Sequence, residues 1–245
     1  MTIRLLVAIL LLLSGLAWWL YRQFLRPFSL PSQPRTIEQV LAVIGPSVER
    51  RIRPAFERVD VAWPPRNLTL LAFKSERRLE VYASQDEAEP RFVCHYQILA
   101  ASGVSGPKLR EGDKQVPEGF YRIELLNPNS RYHLSLRVNY PNPDDIERAR
   151  KDGRDLLNLG GDIMIHGGAA SLGCLAIGDP AIEDLFVLTA RVGLDNVRLI
   201  IAPCDFRQGN IDPTLTKAPD WTVELYDRLR ANMEKFPFSP NRQSY

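Results

Sequence analysis

The sequence predicts an α+β chain, mainly antiparallel β with flanking helices, preceded by an N-terminal membrane helix, and three observations carry that reading. An apolar run from Leu5 to Leu20 opens the chain. From Asn67 onward, short β-rich runs follow one another between turn-forming Gly, Pro, Asn and Asp. Helical periods flank these runs after Thr36, Pro143, Pro180 and Trp221. With 245 residues, 45% of them hydrophobic and 24% charged, the chain can bury a proper core. Its 31 basic and 29 acidic residues leave a net charge of only +2, too little for a nucleic-acid field, so no nucleic-acid partner is expected.

Taken in order, the first element is the Leu5 to Leu20 segment. As a helix it would span roughly 24 Å at about 1.5 Å per residue, short of a ~30 Å hydrocarbon core. Trp18, Trp19 and Tyr21 at the interface and snorkelling Arg4, Arg22 and Arg26 can close that gap. We read residues 1–26 as an uncleaved signal anchor. A signal peptide cut after Gly15-Leu16-Ala17 is the alternative, and a buried core helix fits worst, since a double tryptophan ends the run. Basic residues on the two sides nearly balance, so charge alone does not fix the orientation. Either favoured reading delivers the remainder to a membrane and, as we read it, across it.

Residues 27–66 read as a linker and a helix. The stretch RPFSLPSQPR holds three prolines, and Thr36 with Gln39 forms a T-x-x-Q capping box opening a helix expected to bend or break near Gly45-Pro46. Residues 67–205 should form the main domain, with strands at Leu68 to Phe73, Leu79 to Ala83, Arg91 to Leu99, Gly119 to Leu125 and Tyr132 to Val138. A helix from Pro143 to Leu157 begins with Asp144 and Asp145 in its first turn, where acids suit the helix dipole. A short strand from Asp162 to Ile165, a helix from Pro180 to Val192 and a core strand from Val197 to Ala202 complete it. Residues 206–245 should supply a last helix, Trp221 to Lys235, and a loose tail.

Three cysteines and three histidines are scattered through the chain, so any close pair stands out. Cys94 and Cys204 lie in or beside apolar strand-like runs and read as small buried residues, with a bridge between them as the lesser alternative. Cys174 follows His166 by eight residues, with Gly167, Gly168 and Gly173 between. A thiol with a reference pKa of about 8.5 needs a nearby base near neutral pH, and an imidazole can serve. A loop leaving a strand at His166 can bring both within hydrogen-bond reach, the nucleophile and base geometry of acyl transfer. The amides of Gly173 and Cys174 are then oxyanion-hole candidates. On spacing alone, a lone His and Cys are more often core or loop residues. A metal site is not expected, since no CxxC or HxxxH partner accompanies them, and no GK[ST] ending makes the glycines a phosphate loop. His133 shares one face of the predicted Tyr132 to Val138 strand with Ser135 and Arg137; that face either lines a substrate groove or meets solvent. Tyr132 belongs to the same candidate groove. His95 receives no role, and Asn67-Leu68-Thr69 reads as an accidental glycosylation match.

The stretch IMIHGGAASLGCLAIGD resembles the active-site signature of the L,D-transpeptidase catalytic domain of the YkuD type, an HG pair followed by S-x-G-C, and most closely its YafK-like branch. Upstream, GPKLREGDKQVPEGFYRI and NPNSRYHLSLRVNYPNPDD are similar to the family's segments leading to the active-site loop. The resemblance covers Leu68 to Asp205. It implies a β-sandwich or barrel-like catalytic domain with Cys174 as nucleophile and His166 as base. The backbone around Gly167 would orient the imidazole, and Ser171 and Gly173 would shape the turn and oxyanion site. Leu172 stands where many relatives have a second histidine, and Ala176 where the wider family usually has arginine.

The resemblance further implies a periplasmic enzyme, tethered to the inner membrane or secreted, that acts on peptidoglycan stem peptides through a thioester and needs no cofactor. An amine acceptor makes it a transpeptidase, with an outer-membrane lipoprotein as one possible partner. Water makes it an amidase or carboxypeptidase. A binding-only module has no use for the His166 and Cys174 pair.

Overall fold

The structure, a computed structural model, describes residues 33–85, 89–209 and 218–237, together with Ser14. Apart from that serine, the expected membrane segment lies outside the described residues, as does the tail beyond residue 237. No helix among the described residues is long and apolar enough to cross a membrane.

The compact unit Arg35–Tyr245 begins with α1 (Ile37–Glu57), whose Thr36 and Gln39 form the expected reciprocal capping box. The predicted break at Gly45-Pro46 does not occur, and the helix runs through both Pro46 and Pro54. Burial explains its survival: Val40, Val48, Ile52 and Phe56 recur at helical spacing on the face packed into the core. That tertiary packing outweighs the missing proline N–H groups.

Among the described residues, nine strands form one curled mixed sheet: β1 (Asn67–Phe73), β2 (Arg78–Ser84), β3 (Arg91–Gln97), β4 (Ala100–Ala101), β5 (Gly119–Asn127), β6 (Ser135–Val138), β7 (Met164–His166), β8 (Leu175–Ala176) and β9 (Val197–Ala202). Their order is β3-β2-β1-β9-β5-β6-β7-β8-β4. Pairing is antiparallel except for β1 with β9 and β7 with β8, so the mainly antiparallel expectation holds. In place of two stacked sheets, the sheet turns a corner within β5. Residues Gly119 to Arg122 pair with β9 and residues from Ile123 onward pair with β6, with a bulge between Ile123 and Leu125. Such an irregularity bends a strand and lets it serve both halves.

The inner face carries the main core, to which Leu70, Val81, Leu199, Ile123, Leu136, Ile165 and Leu175 all contribute. It is closed by α1 and α3 (Asp179–Val192). On the outer face, α4 (Trp221–Met233) covers a second cluster that includes Leu71, Phe73, Tyr82 and Ile200. Neighbouring residues of β1 thus feed opposite cores, which explains its near-continuous apolar sequence. Cys94 belongs to the inner core and Cys204 to the outer one, and neither forms a disulfide, so the bridge alternative falls.

Two further corrections concern boundaries. Helix α2 (Pro143–Lys151) ends sooner than predicted, and Leu156–Asn158 forms a separate 3-10 turn. Its Asn142 cap and Asp145 make a capping box that the sequence signal at Asp144 and Asp145 pointed toward. The loop before β5 is secured by Glu118, a fully buried carboxylate that accepts from Lys74 Nζ at 2.8 Å, the Gly106 N–H at 2.9 Å and Tyr226 Oη at 2.6 Å. Removing one partner of a buried pair costs about 3–5 kcal/mol, because the other charge stays buried and uncompensated. Glu118→Ala is expected to lower unfolding stability by that amount in urea titrations, whereas Glu111→Ala, at an exposed position in the same loop, should change it little.

Candidate active site

Strands β7 and β8 lie side by side in parallel, with Ile165 opposite Leu175 and His166 opposite Ala176. Ile165 and Leu175 point into the inner core. By strand alternation, Met164, His166 and Cys174 therefore share the outer face. The residues between form a tight loop, in which Gly168 and Gly173 take positive φ values of 69° and 84°. Asp179, at the start of α3, accepts from the Gly168 N–H at 2.8 Å, and the Gly178 N–H donates to the Gly168 carbonyl at 3.0 Å. Gly167 is sterically required: a Cβ there would lie 2.5 Å from both Asp179 Oδ1 and the Tyr132 carbonyl.

His166 is buried, and its Nδ1 lies 2.6 Å from the Gly167 carbonyl. A carbonyl only accepts, so Nδ1 carries the proton and the neutral ring keeps its lone pair on Nε2. The Tyr132 ring stacks on the imidazole with centroids 4.5 Å apart. Burial pushes the His166 pKa below its ordinary value, while the Gly167 bond opposes that shift. The ring is thus neutral at pH 7.

Cys174 is half-buried. The Met164 N–H donates to Sγ at 3.4 Å, and the thiol donates to the Asp162 carbonyl at 3.6 Å. Burial raises the thiol pKa above its usual range; the Met164 N–H and the Lys108 charge pull it down, and Asp162 pushes it up. Among the described residues, Sγ and the imidazole do not hydrogen-bond each other, so the contact anticipated from the loop is not made in this resting arrangement. Thiol and imidazole are both uncharged.

Both expected oxyanion amides are occupied by hydroxyls. The Gly173 N–H donates to Ser102 Oγ at 2.5 Å, and the Cys174 N–H donates to Ser171 Oγ at 3.0 Å. Ser102 in turn donates to the Lys114 carbonyl at 2.7 Å, linking the 102–115 loop to the Cys174 loop. Asp113 organises that loop by accepting from the Leu109, Arg110 and Gln115 amides and from Lys108 Nζ. Sequence reasoning missed Ser102, since a lone serine 71 residues from Gly173 leaves no local signal.

A scan against protein-family profiles matches residues 69–198, more than half of the chain, to YkuD: L,D-transpeptidase catalytic domain. The chain belongs to that L,D-transpeptidase family. The protein named "Putative L,D-transpeptidase YafK" of Escherichia coli K12 is 35% identical over 144 residues, which are 57% of this chain and 55% of that protein. The chain thus spans about half the length of the curated relatives it matches. Among solved structures, the helical cell shape determining protein Pgp2 from Campylobacter jejuni shares 24% identity over 57% of this chain and 48% of its own, with a TM-score of 0.45. Bd1075 of Bdellovibrio bacteriovorus shares 20% over 70% of this chain and 55% of its own, with a TM-score of 0.41.

Where this L,D-transpeptidase-family chain departs from its relatives, the structure gives the setting. Leu172 is 76% exposed at the loop tip, away from the packed part of the site. Ala176 is fully buried between β7 and β4, where it pairs with Ala100, and an arginine would have no room. His133 is not on a strand, because β6 starts at Ser135 and His133 sits in the preceding turn with φ at 73°. Its Nε2 is 2.8 Å from Glu183 Oε1 on α3, and Ser135 is buried, so the predicted shared groove face does not form. Tyr132, in contrast, is half-exposed beside the imidazole. Its turn is gripped by Arg35, whose N–H donates to Asn129 Oδ1 at 2.8 Å and whose guanidinium donates to the Pro128 and His133 carbonyls. His95 lies on β3, far along the sheet order from β7. No cluster of three or more His, Cys, Asp or Glu among the described residues suits a metal ion.

Three outcomes follow from this geometry. Alkylation of Cys174 by iodoacetamide should rise with a midpoint above the ordinary ~8.5 of a free thiol, since burial disfavours the thiolate. His166→Ala should leave that resting alkylation nearly unchanged, because the imidazole does not contact Sγ, yet abolish acylation of Cys174 by a peptide substrate while circular dichroism stays unchanged; full acylation of the variant would remove His166 as the proton acceptor. Gly167→Ala should cost about 1–3 kcal/mol by overpacking, read as a lower thermal midpoint.

Proposed function

We propose that this chain is a cysteine acyl-transfer enzyme acting on peptidoglycan stem peptides, with Cys174 as nucleophile and His166 as general base. The observation that carries the reading is the commitment of Nδ1–H to Gly167, which leaves the Nε2 lone pair on the sheet face that also bears Sγ. Substrate arrival turns the thiol from the Asp162 carbonyl toward Nε2, which takes its proton. Sγ then attacks the carbonyl between an L-centre and a D-residue of the stem. The C–N bond breaks, the imidazolium returns the proton to the leaving amine, and a thioester remains. An acceptor amine resolves it to a new amide, the transpeptidase outcome; water would resolve it to an acid.

The Gly173 and Cys174 amides support the anionic intermediate once they exchange the hydroxyls of Ser102 and Ser171 for its oxygen. Each such donor lowers the barrier by about 3–4 kcal/mol. The neutral resting pair suits this order of events, because a nucleophile that ionises only against its base in the closed site avoids alkylation and oxidation between turnovers. We further propose a periplasmic location, with residues 1–26 as the tether, residues 27–66 as the linker and first helix, and 67–205 as the catalytic part. The protein lysine of an outer-membrane lipoprotein is one acceptor this scheme admits.

Expressing the wild type and Cys174→Ala in a bacterium stripped of its own related enzymes tests the proposal. New crosslinks in the muropeptide profile, present only with the wild type, are the expected result. Loss of pre-existing crosslinks or release of anchored lipoprotein would assign the hydrolytic outcome. Identical profiles for wild type and variant would sink both.

A further inference from the structure

A cavity of about 690 Å3 opens on the outer face of the sheet, beyond the end of α4 and beside the start of α2. Across its floor runs one row of in-register residues, Thr69, Arg198 and Arg122. The two arginines face each other directly across the antiparallel β5 and β9 pair, where side chains start only about 5 Å apart and like charges repel. Both are exposed, and among the described residues neither has a carboxylate within ion-pair distance. The neighbouring Arg137, by contrast, is paired with Glu124 and Asp162. Lys235 adds a third positive charge to the cavity. Among the described residues, the one acid in its lining, Asp144, is engaged by Arg148 at 3.8 Å and Arg228 at 3.5 Å.

The backbone at Arg122 is held firmly. Asn139 Oδ1 accepts its N–H at 2.7 Å, and the Asn139 N–H donates to its carbonyl at 3.1 Å. The backbone positions of the two arginines are therefore fixed in register, one opposite the other. A guanidinium fork matches a carboxylate in two parallel hydrogen bonds, and two forks side by side match a ligand with one shared or two adjacent carboxylates.

The location adds the second half of the argument. Tyr121, Ile123, Val197 and Leu199 point into the inner core, so Arg122 and Arg198 point to the outer face, as His166 and Cys174 do. The strands β6 and β7 separate β5 from β8, three strand spacings or at least roughly 14 Å across the sheet, with β9 one spacing further. An extended peptide covers that in about four to five residues.

We propose that Arg122 and Arg198 form a carboxylate-binding subsite for the peptide substrate, engaging it at a distance from the bond that Cys174 attacks. The proposal rests on the function proposed above and extends it. Its test uses the full chain and a soluble crosslinked pair of disaccharide-tetrapeptides, whose second stem carries carboxylates far enough from the attacked bond to span the distance, prepared once with free carboxylates and once with them amidated. By calorimetry, the variant carrying both Arg122→Gln and Arg198→Gln should bind the free-carboxylate form about tenfold more weakly than the wild type, while the two proteins bind the amidated form equally. The variant carrying Arg122→Lys and Arg198→Lys should recover part of the loss. In turnover assays the glutamine variant should raise KM and leave kcat unchanged. Equal affinity of wild type and glutamine variant for the free-carboxylate form would overturn the subsite. Intact-protein mass spectrometry separates the two proposals. An acyl adduct on Cys174 with arginine-independent binding removes the subsite alone, and arginine-dependent binding with no adduct removes the acyl-transfer reading alone.

Discussion

Two residues of β8, Leu175 and Ala176, fix the geometry of the candidate site, because their parallel pairing with Ile165 and His166 holds imidazole and thiol on one face. A slip of one residue would turn Cys174 toward the inner core and expose Leu175. The slip is prevented from the core side, where Ile165 and Leu175 are fully buried. It is prevented from the edge as well, where β4 pairs Ala101 with Leu175 and Ala100 with Ala176. Everything around the site serves that short pairing: Asp179 secures one shoulder of the loop and Ser102 the other.

The electrostatics of the site are those of a pair kept uncharged. His166 is buried against Tyr132 with no carboxylate among its hydrogen-bond partners, and its orienting acceptor is a carbonyl without net charge. Burial acts on both groups in the direction of neutrality, lowering the imidazole and raising the thiol. A buried carboxylate behind the imidazole would have favoured the ion pair at rest. The peptide carbonyl orients the ring and fixes its tautomer without doing so. Lys108 and the Met164 amide bias the sulfur modestly toward thiolate, and Asp162 works against them.

Local signals in the sequence were legible where the physics is local. The Thr36 and Gln39 box, the Val197 to Ala202 strand and the glycine-rich turn after His166 all follow from adjacent residues. Features set by distant packing were not. Pro46 reads as a break, yet α1 passes through it because its apolar face is buried. His133 reads as a strand residue, but its pairing with Glu183, 50 positions away, goes with a turn that strand alternation cannot register. Sheet order was equally hidden, since β1 lies beside β9, which comes last among the strands. Of the candidate site, His166 and Cys174 were singled out mainly by the resemblance, and the structure places both on one face of the sheet. The hydroxyls that cap the Gly173 and Cys174 amides were visible only in part: Ser171 through the motif, and Ser102 not at all.

Arg35 is the first residue of the folded unit, and it enters beside the active site, at the turn that places Tyr132 over the imidazole. Its guanidinium and main chain tie the start of the domain to the turn that carries Tyr132. A change at that residue, whether by substitution or by choosing a later starting residue, would loosen this turn. The choice of a starting residue for recombinant work is therefore also a choice about how firmly the imidazole is covered.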